Sequence, residues 1–313
     1  MKRSSSILAA LAMAAVFSFS GCAQKATMVI GLQATAPGGG LPRSVEGISA
    51  RSMSRAPAVP LVVPVIGKDG VKHGDLTITE AFMAVKNIQI ELEPSQVNSS
   101  EEQEQEITVE YPGPFLVNLI TGVSNPDFPA IGLLPGAYDE IELAIDRLDG
   151  SERAADGTPL ASPGSPMYGQ SLYLTGRYTG RVGGADYTDL PFVLAYDIDE
   201  SFDLSGTDPV VSMAFESGSL NSIIIAFRLV QWFDFSKAKT NPGLAVDFSA
   251  LTLGSLGGAP AIVLDGSANG SNVAIREVIE ENIEESADFG EDADGDGYLS
   301  PSEDDDPSDP NDL

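Results

Sequence analysis

The chain has 313 residues, 46 acidic against 17 basic side chains for a formal charge of -29, and a single cysteine. So acidic a balance excludes the clustered Lys and Arg that direct binding to nucleic acid or anionic lipid needs, and makes cations the natural partners. One cysteine excludes a disulfide framework, so the folded part relies on its hydrophobic core, which a chain of this length can build as one large domain or two smaller ones.

Residues 1–21 have the parts of an export signal: Lys2 and Arg3, an uncharged apolar run from Ile7 to Phe19, then Ser20 and Gly21 before Cys22. The run falls short of the roughly 20 apolar residues a spanning helix requires, so it reads as a segment to be removed. Phe19-Ser20-Gly21-Cys22 resembles the lipobox of bacterial lipoproteins, with Phe19 in place of the usual Leu. The resemblance implies that Cys22 becomes a lipidated N-terminus, each buried methylene contributing about 0.8 kcal/mol to membrane attachment. Ala23, rather than Asp, after the cysteine implies an outer-membrane location in the cell envelope. The alternative is an ordinary secretory peptide with a cysteine there by chance.

Residues 22–59 are rich in Gly, Pro, Ser and Ala, include Gly38-Gly39-Gly40, and read as a flexible tether, with an edge strand around Met28 to Leu32 as the alternative. Over residues 60–265 the pattern changes to short alternating or apolar runs: Ile88, Ile90 and Leu92; Ile107, Val109 and Tyr111; Ile141, Leu143 and Ile145; Leu172 and Leu174. Ile223 to Trp232 is apolar on both parities except at Arg228 and Gln231, which predicts a central strand buried on both faces. Turn formers separate the runs, among them Pro112-Gly113-Pro114, Leu134-Pro135-Gly136, Asp149-Gly150, Gly183-Gly184 and Asn241-Pro242-Gly243, and Asn98 to Glu106 reads as a solvated hairpin loop. The expected fold is mainly β, a β-sandwich with a C-terminal helix and an acidic calcium-binding loop. Leu133 to Tyr138, the strand after it and Gly169 to Leu172 loosely resemble secreted bacterial β-sandwich lipoproteins, a resemblance that implies a fold without an activity.

In residues 266–313 a helix is predicted over 271–291, capped by Ser271 or Asn272, with Ile275, Val278, Ile279 and Ile283 on one face. Its other face carries Glu277, Glu280, Glu281, Glu284 and Glu285, where carboxylates near the negative end of the helix dipole call for a neighbouring cation. The segment Asp292-Ala293-Asp294-Gly295-Asp296-Gly297-Tyr298-Leu299-Ser300-Pro301-Ser302-Glu303 then closely resembles the twelve-residue EF-hand calcium loop. The resemblance implies carboxylate ligands from Asp292, Asp294, Asp296 and Glu303, a backbone carbonyl from Tyr298, a hydroxyl or bridging water at Ser300, and a sharp turn at Gly297. Calcium suits six to eight oxygens of flexible geometry better than magnesium does. The Asp- and Pro-rich residues 304–313 cannot form a second EF-hand helix, and in this the tail is closer to the Asp-rich calcium repeats of extracellular proteins, thrombospondin type 3-like ones included. The alternative is a solvated acidic tail.

His73 is the only histidine, which excludes a histidine-rich zinc site, and the nucleophile-elbow, phosphate-loop and dinucleotide motifs are absent, which argues against serine-hydrolase and nucleotide chemistry. A glycosidase needs only two carboxylates, and the sequence leaves that alternative open, with Asp146, Asp197, Asp199 and Glu216 near strand ends as candidates and Trp232, Phe233 and Phe235 as a possible sugar platform. The leading expectation is a non-catalytic, calcium-binding envelope lipoprotein whose β domain presents a surface to an envelope protein or glycan; the competing one is a carbohydrate-binding or glycan-hydrolysing lipoprotein with a structural calcium.

Overall fold

Strands form where the apolar alternation stands. The computed structural model describes residues 25–35, 60–92, 107–154, 156–203, 213–216, 220–238 and 247–291. The hairpin loop expected at Asn98 to Glu106 and the turn at Asn241-Pro242-Gly243 lie outside the described residues. In chain order the elements are β1 (Ala26–Thr35), β2 (Leu61–Ile66), β3 (Lys72–Leu92), β4 (Ile107–Asn118), β5 (Val123–Asn125), β6 (Ile131–Leu133), β7 (Gly136–Ile145), β8 (Leu172–Val182), β9 (Ala185–Tyr196), β10 (Glu200–Asp203), β11 (Met213–Phe215), β12 (Leu220–Arg228), α1 (Leu229–Trp232), β13 (Gly254–Leu256), β14 (Ala259–Leu264), α2 (Ser271–Glu284) and β15 (Ala287–Glu291). The fold is mainly β and sandwich-like, built from a four-stranded sheet in the order β15-β12-β1-β6 and an eleven-stranded sheet around β3.

The long strand β3 organises the larger sheet. β2 and then β4 pair along one edge, β8 and then β7 along the other, so one strand of 21 residues serves four antiparallel neighbours. Several register shifts interrupt it; one leaves Thr79 unpaired against β8 and another leaves Lys86 unpaired against both β4 and β7. Such bulges bend a strand and re-aim the side chain at the extra residue. These two bulges demand backbone proximity: a Cβ on Gly176 would stand 2.1 Å from the Thr77 carbonyl oxygen, and one on Gly113 would stand 2.3 Å from that of Lys86. Pro112-Gly113-Pro114 is therefore not a turn but the part of β4 facing the Lys86 bulge. Gly183 and Gly184, with φ of 57° and 83°, make the two-residue turn of the β8–β9 hairpin as expected.

In the smaller sheet, Ile223 to Phe227 of β12 are buried on both parities, each isoleucine or phenylalanine contributing about 1.5–3 kcal/mol by its burial. The strand is shorter than expected, because residues 229–232 turn into α1. Its neighbours come from opposite ends of the chain: β1 runs parallel to it, and β15 antiparallel. The tether expected over 22–59 therefore does not extend across 26–35. Ala26, Met28, Ile30, Leu32 and Ala34 point into the core, and β1 is an interior strand rather than an edge one. The Tyr111 hydroxyl, on β4, donates to the Met28 carbonyl and ties the two sheets together at 3.4 Å.

The helix α2 buries Ala274, Ile275, Val278, Ile279 and Ile283 in the same core as the strands. Gly270 stands at its N-cap with no side-chain cap, and the Asn272 side chain instead bridges the Thr252 amide and carbonyl at 2.9 Å each. The expected continuation to residue 291 does not occur: α2 ends at Glu284, and β15 follows. Carboxylates at 281, 284 and 285 oppose the dipole of a longer helix, while the Ser286 hydroxyl accepts from Trp232 Nε1 at 2.5 Å and donates to the Ile283 carbonyl at 2.7 Å, which fixes the exit of the chain.

A chain beginning at Pro60 lacks β1 and leaves one edge of β12 unpaired. It is expected to show no cooperative urea transition by far-ultraviolet circular dichroism, whereas a chain beginning at Ala23 shows one; cooperative unfolding of the shorter chain with an unchanged midpoint would return residues 26–35 to the status of a tether.

Candidate functional site

Cys22 and the six expected calcium ligands, Asp292, Asp294, Asp296, Tyr298, Ser300 and Glu303, lie outside the described residues. The structure describes the chain that leads into the acidic motif: Glu291, the last residue of β15, pairs with Ile223 and directly precedes Asp292. An EF-hand loop follows a helix, and here a strand takes that place. Among the described residues no group of three or more His, Cys, Asp or Glu side chains is arranged to hold a metal ion, and no helix is long and apolar enough to cross a membrane.

Among the described residues the fold creates an acidic cleft of about 450 Å³ lined by Asp146, Arg147, Asp149, Glu152, Asp197 and Asp199. Its position follows from β3. Beyond the Lys86 bulge, β7 leaves the sheet at Ile145 and β8 joins it at Leu172, with residues 146–171 looping out between them. That loop is pinned by a small core of its own, with Ala84, Leu148, Ala154, Leu160, Ala161 and Met167 packed together. Asp146 follows the end of β7, while Asp197 and Asp199 follow the end of β9, so three of the four carboxylates singled out from the sequence share one cleft.

Basic side chains punctuate these acids. The Lys86 ammonium, aimed outward by the bulge, lies 3.5 Å from both the Asp146 and Asp199 carboxylates, which raise its pKa, Asp199 most. The Ser151 hydroxyl and amide hold the Asp149 carboxyl below its usual range, and the Gly150 amide donates to Glu152 at 2.9 Å. Beside the cleft Arg276 of α2 meets Asp197 at 3.1 Å, while its guanidinium lies 4.6 Å from the centre of the Tyr196 ring. The buried Tyr196 hydroxyl donates to the Arg276 carbonyl, and burial holds its pKa well above the ordinary value. Strand β9 and helix α2 are thereby clamped together at the cleft.

Glu216 does not join this site. It follows β11, whose Phe215 pairs with Gly136 at the start of β7, while Asp146 follows the other end, roughly 30 Å away along an extended strand. That exceeds the separation at which two carboxylates act on one glycosidic bond. Trp232, Phe233 and Phe235 do not form a sugar platform either: all three are fully buried, with Trp232 edge-on to Phe227 at 5.9 Å and Phe235 against Phe248 at 5.7 Å. His73 lies in β3, its ring packed over Gly67 and paired with Asp69 at 3.1 Å.

No known protein family, curated protein or solved structure matches this chain.

On the acidic face of α2, burial raises the pKa of Glu280 above the ordinary 4.5, with Glu200, Glu284 and Glu277 adding to the rise and Arg276 opposing it. Glu284 is raised as well, by burial and by Glu200, Glu281 and Glu285. The folded protein holds such a proton more tightly than the unfolded chain, so stability falls as pH rises from about 4.5 through the raised value. Glu280→Gln is expected to raise the thermal midpoint at pH 8, with the gain vanishing below pH 4; an equal gain at both pH values would mean that it arises from something other than proton linkage.

Proposed function

We propose that the chain is a lipid-anchored cell-envelope protein that binds calcium through Asp292, Asp294, Asp296, Tyr298, Ser300 and Glu303, with lipid on Cys22 and an outer-membrane location. The observation that carries this reading is the spacing of the acidic motif together with its attachment: alternate aspartates, a glycine at the sixth place and a glutamate at the twelfth follow directly from a strand paired to the centre of the core. The donor set fits a hard divalent cation, since four carboxylates crowded into twelve residues repel one another unless a cation is bound. The strand approach favours the likeness to Asp-rich repeats over a helix–loop–helix sensor, so calcium here has a structural role and opens no groove.

A second reading, binding of a cationic or glycan ligand in the acidic cleft, is favoured by one observation: Asp146, Asp197 and Asp199 converge there although 51 residues separate the first from the second. Under this reading the β domain presents the cleft to an envelope partner while the calcium motif supports the C-terminus. A glycan array and a reducing-sugar assay address it, and a response abolished by Asp197→Asn is expected if the cleft is the site.

Calorimetric titration of the chain beginning at Ala23 is expected to give about one calcium per chain, with binding lost in Asp292→Ala and Glu303→Ala. Undiminished binding in both variants would remove the site assignment. Cys22→Ser in the full chain is expected to move the protein from the membrane to the soluble fraction.

A further inference from the structure

Successive residues of a strand point to opposite faces, so the four-stranded sheet has an outward side as well as a core side. On β12, Ile223, Ile225 and Phe227 pack in the core, and Ile224, Ala226 and Arg228 point outward. Beside Ile224 on that side stand Gly31 of β1 and Gly290 of β15, and beside Ala226 stand Gln33 and Asp288. Ile224 therefore forms the floor of a trough with no side chain on either flank, yet it is only 2% exposed, as is Ala226. Neither belongs to a hydrophobic cluster of the core, where α2 packs with the inward residues. Gln33 is 6% exposed, and its amide nitrogen is buried with no hydrogen-bond partner among the described residues. An apolar floor shielded from water calls for a cover, and a buried amide donor calls for an acceptor.

We infer that residues 36–59 of this chain are the cover and dock on the outward side of the four-stranded sheet. The segment leaves β1 at Thr35, which lies opposite Arg228, so it starts on the sheet it covers. Extended, it reaches up to roughly 80 Å, several times the roughly 10 Å that separate β1 from β15. Charge favours this segment over others. It carries Arg43, Arg51 and Arg55 against Glu46 alone, in a chain with a formal charge of -29, and a further arginine can share the Asp288 carboxylate with Arg228. Residues 93–106 and 292–313 are acidic without one basic side chain and are repelled there. Leu41, Val45, Ile48 and Met53 supply apolar groups for Ile224 and Ala226, and the backbone carbonyls of the segment supply an acceptor for Gln33. A strand covered on both sides is apolar on both parities, as β12 is.

The test is paramagnetic relaxation enhancement in the chain beginning at Ala23, which has no cysteine of its own, with a nitroxide on Ser49→Cys and isotope-labelled isoleucine methyl groups. The Ile224 methyl is expected to lose intensity more strongly than the core-facing methyl of Ile78. A mixture of spin-labelled unenriched chain with enriched unlabelled chain is expected to show no loss. In a separate variant, Ala226→Cys is expected to react with a maleimide about tenfold or more slowly than Val62→Cys, which stands at a position 51% exposed, because a covered thiol reacts only through local opening. An unbroadened Ile224 with a reactive thiol at 226 would show the outward side to be open, and an unbroadened Ile224 with a protected thiol would assign the cover to another part of the chain; either result overturns the inference. Broadening in the mixed sample would make a second copy the cover and overturn it as well.

Discussion

The junction of the two outer segments of the described chain with the core depends on how β12 is satisfied. Ile223 to Phe227 are buried on both faces, so their amides and carbonyls have no access to water and must be paired on both edges. β1 supplies one edge and β15 the other, which draws on segments near opposite ends of the chain. The pairing must wait for nearly all of the described chain, and it joins residues 26–35 and 287–291 to one core. Ser286 reinforces the second junction: its hydroxyl accepts a hydrogen bond from the Trp232 indole N–H, its carbonyl accepts one from the Arg228 amide at 3.1 Å, and Arg228 pairs with Asp288 two residues on. Because Ser286 is 1% exposed, these bonds form where an unmade partner would be costly.

The larger sheet has a different organising constraint, the length of β3. A strand with four partners cannot run straight past all of them, and the Lys86 bulge marks the change from β8 to β7 along one edge. Strand ends collect at that change, and with them the carboxylates that terminate β7 and β9. The cleft is thus a product of topology, and its charge is kept in place by basic residues from two different elements, Lys86 on the bulge and Arg276 on α2.

Much of this was legible in the sequence, and the rest failed for identifiable reasons. The alternating runs at 88–92, 107–111, 141–145 and 172–174 all lie in strands, because period-two burial leaves a local signature. β1 carries the same alternation from Ala26 to Ala34, yet two of its core positions are alanine and the flanking sequence is rich in glycine and proline, so composition outweighed period. Residues 285–291 looked helical because Glu-rich sequence suits a helix, while their strand state comes from the open edge of β12, a tertiary fact. Phe233 and Phe235 adjoin an apolar strand, and nothing local distinguishes a core aromatic from an exposed one. Three of four candidate carboxylates were found from their strand-end positions, but the bulge that gathers them, and Lys86 and Arg276 between them, required the fold.

The central claim is that β15 belongs to the core and carries the acidic motif from it. Native-state hydrogen exchange of the β15 amides that face β12 tests this most directly. The account predicts that these amides exchange only with the global unfolding that also releases Ile223 to Phe227. Exchange at β15 with a much smaller opening free energy, while β12 stays protected, would show the C-terminal strand to be a detachable tail and would contradict the account.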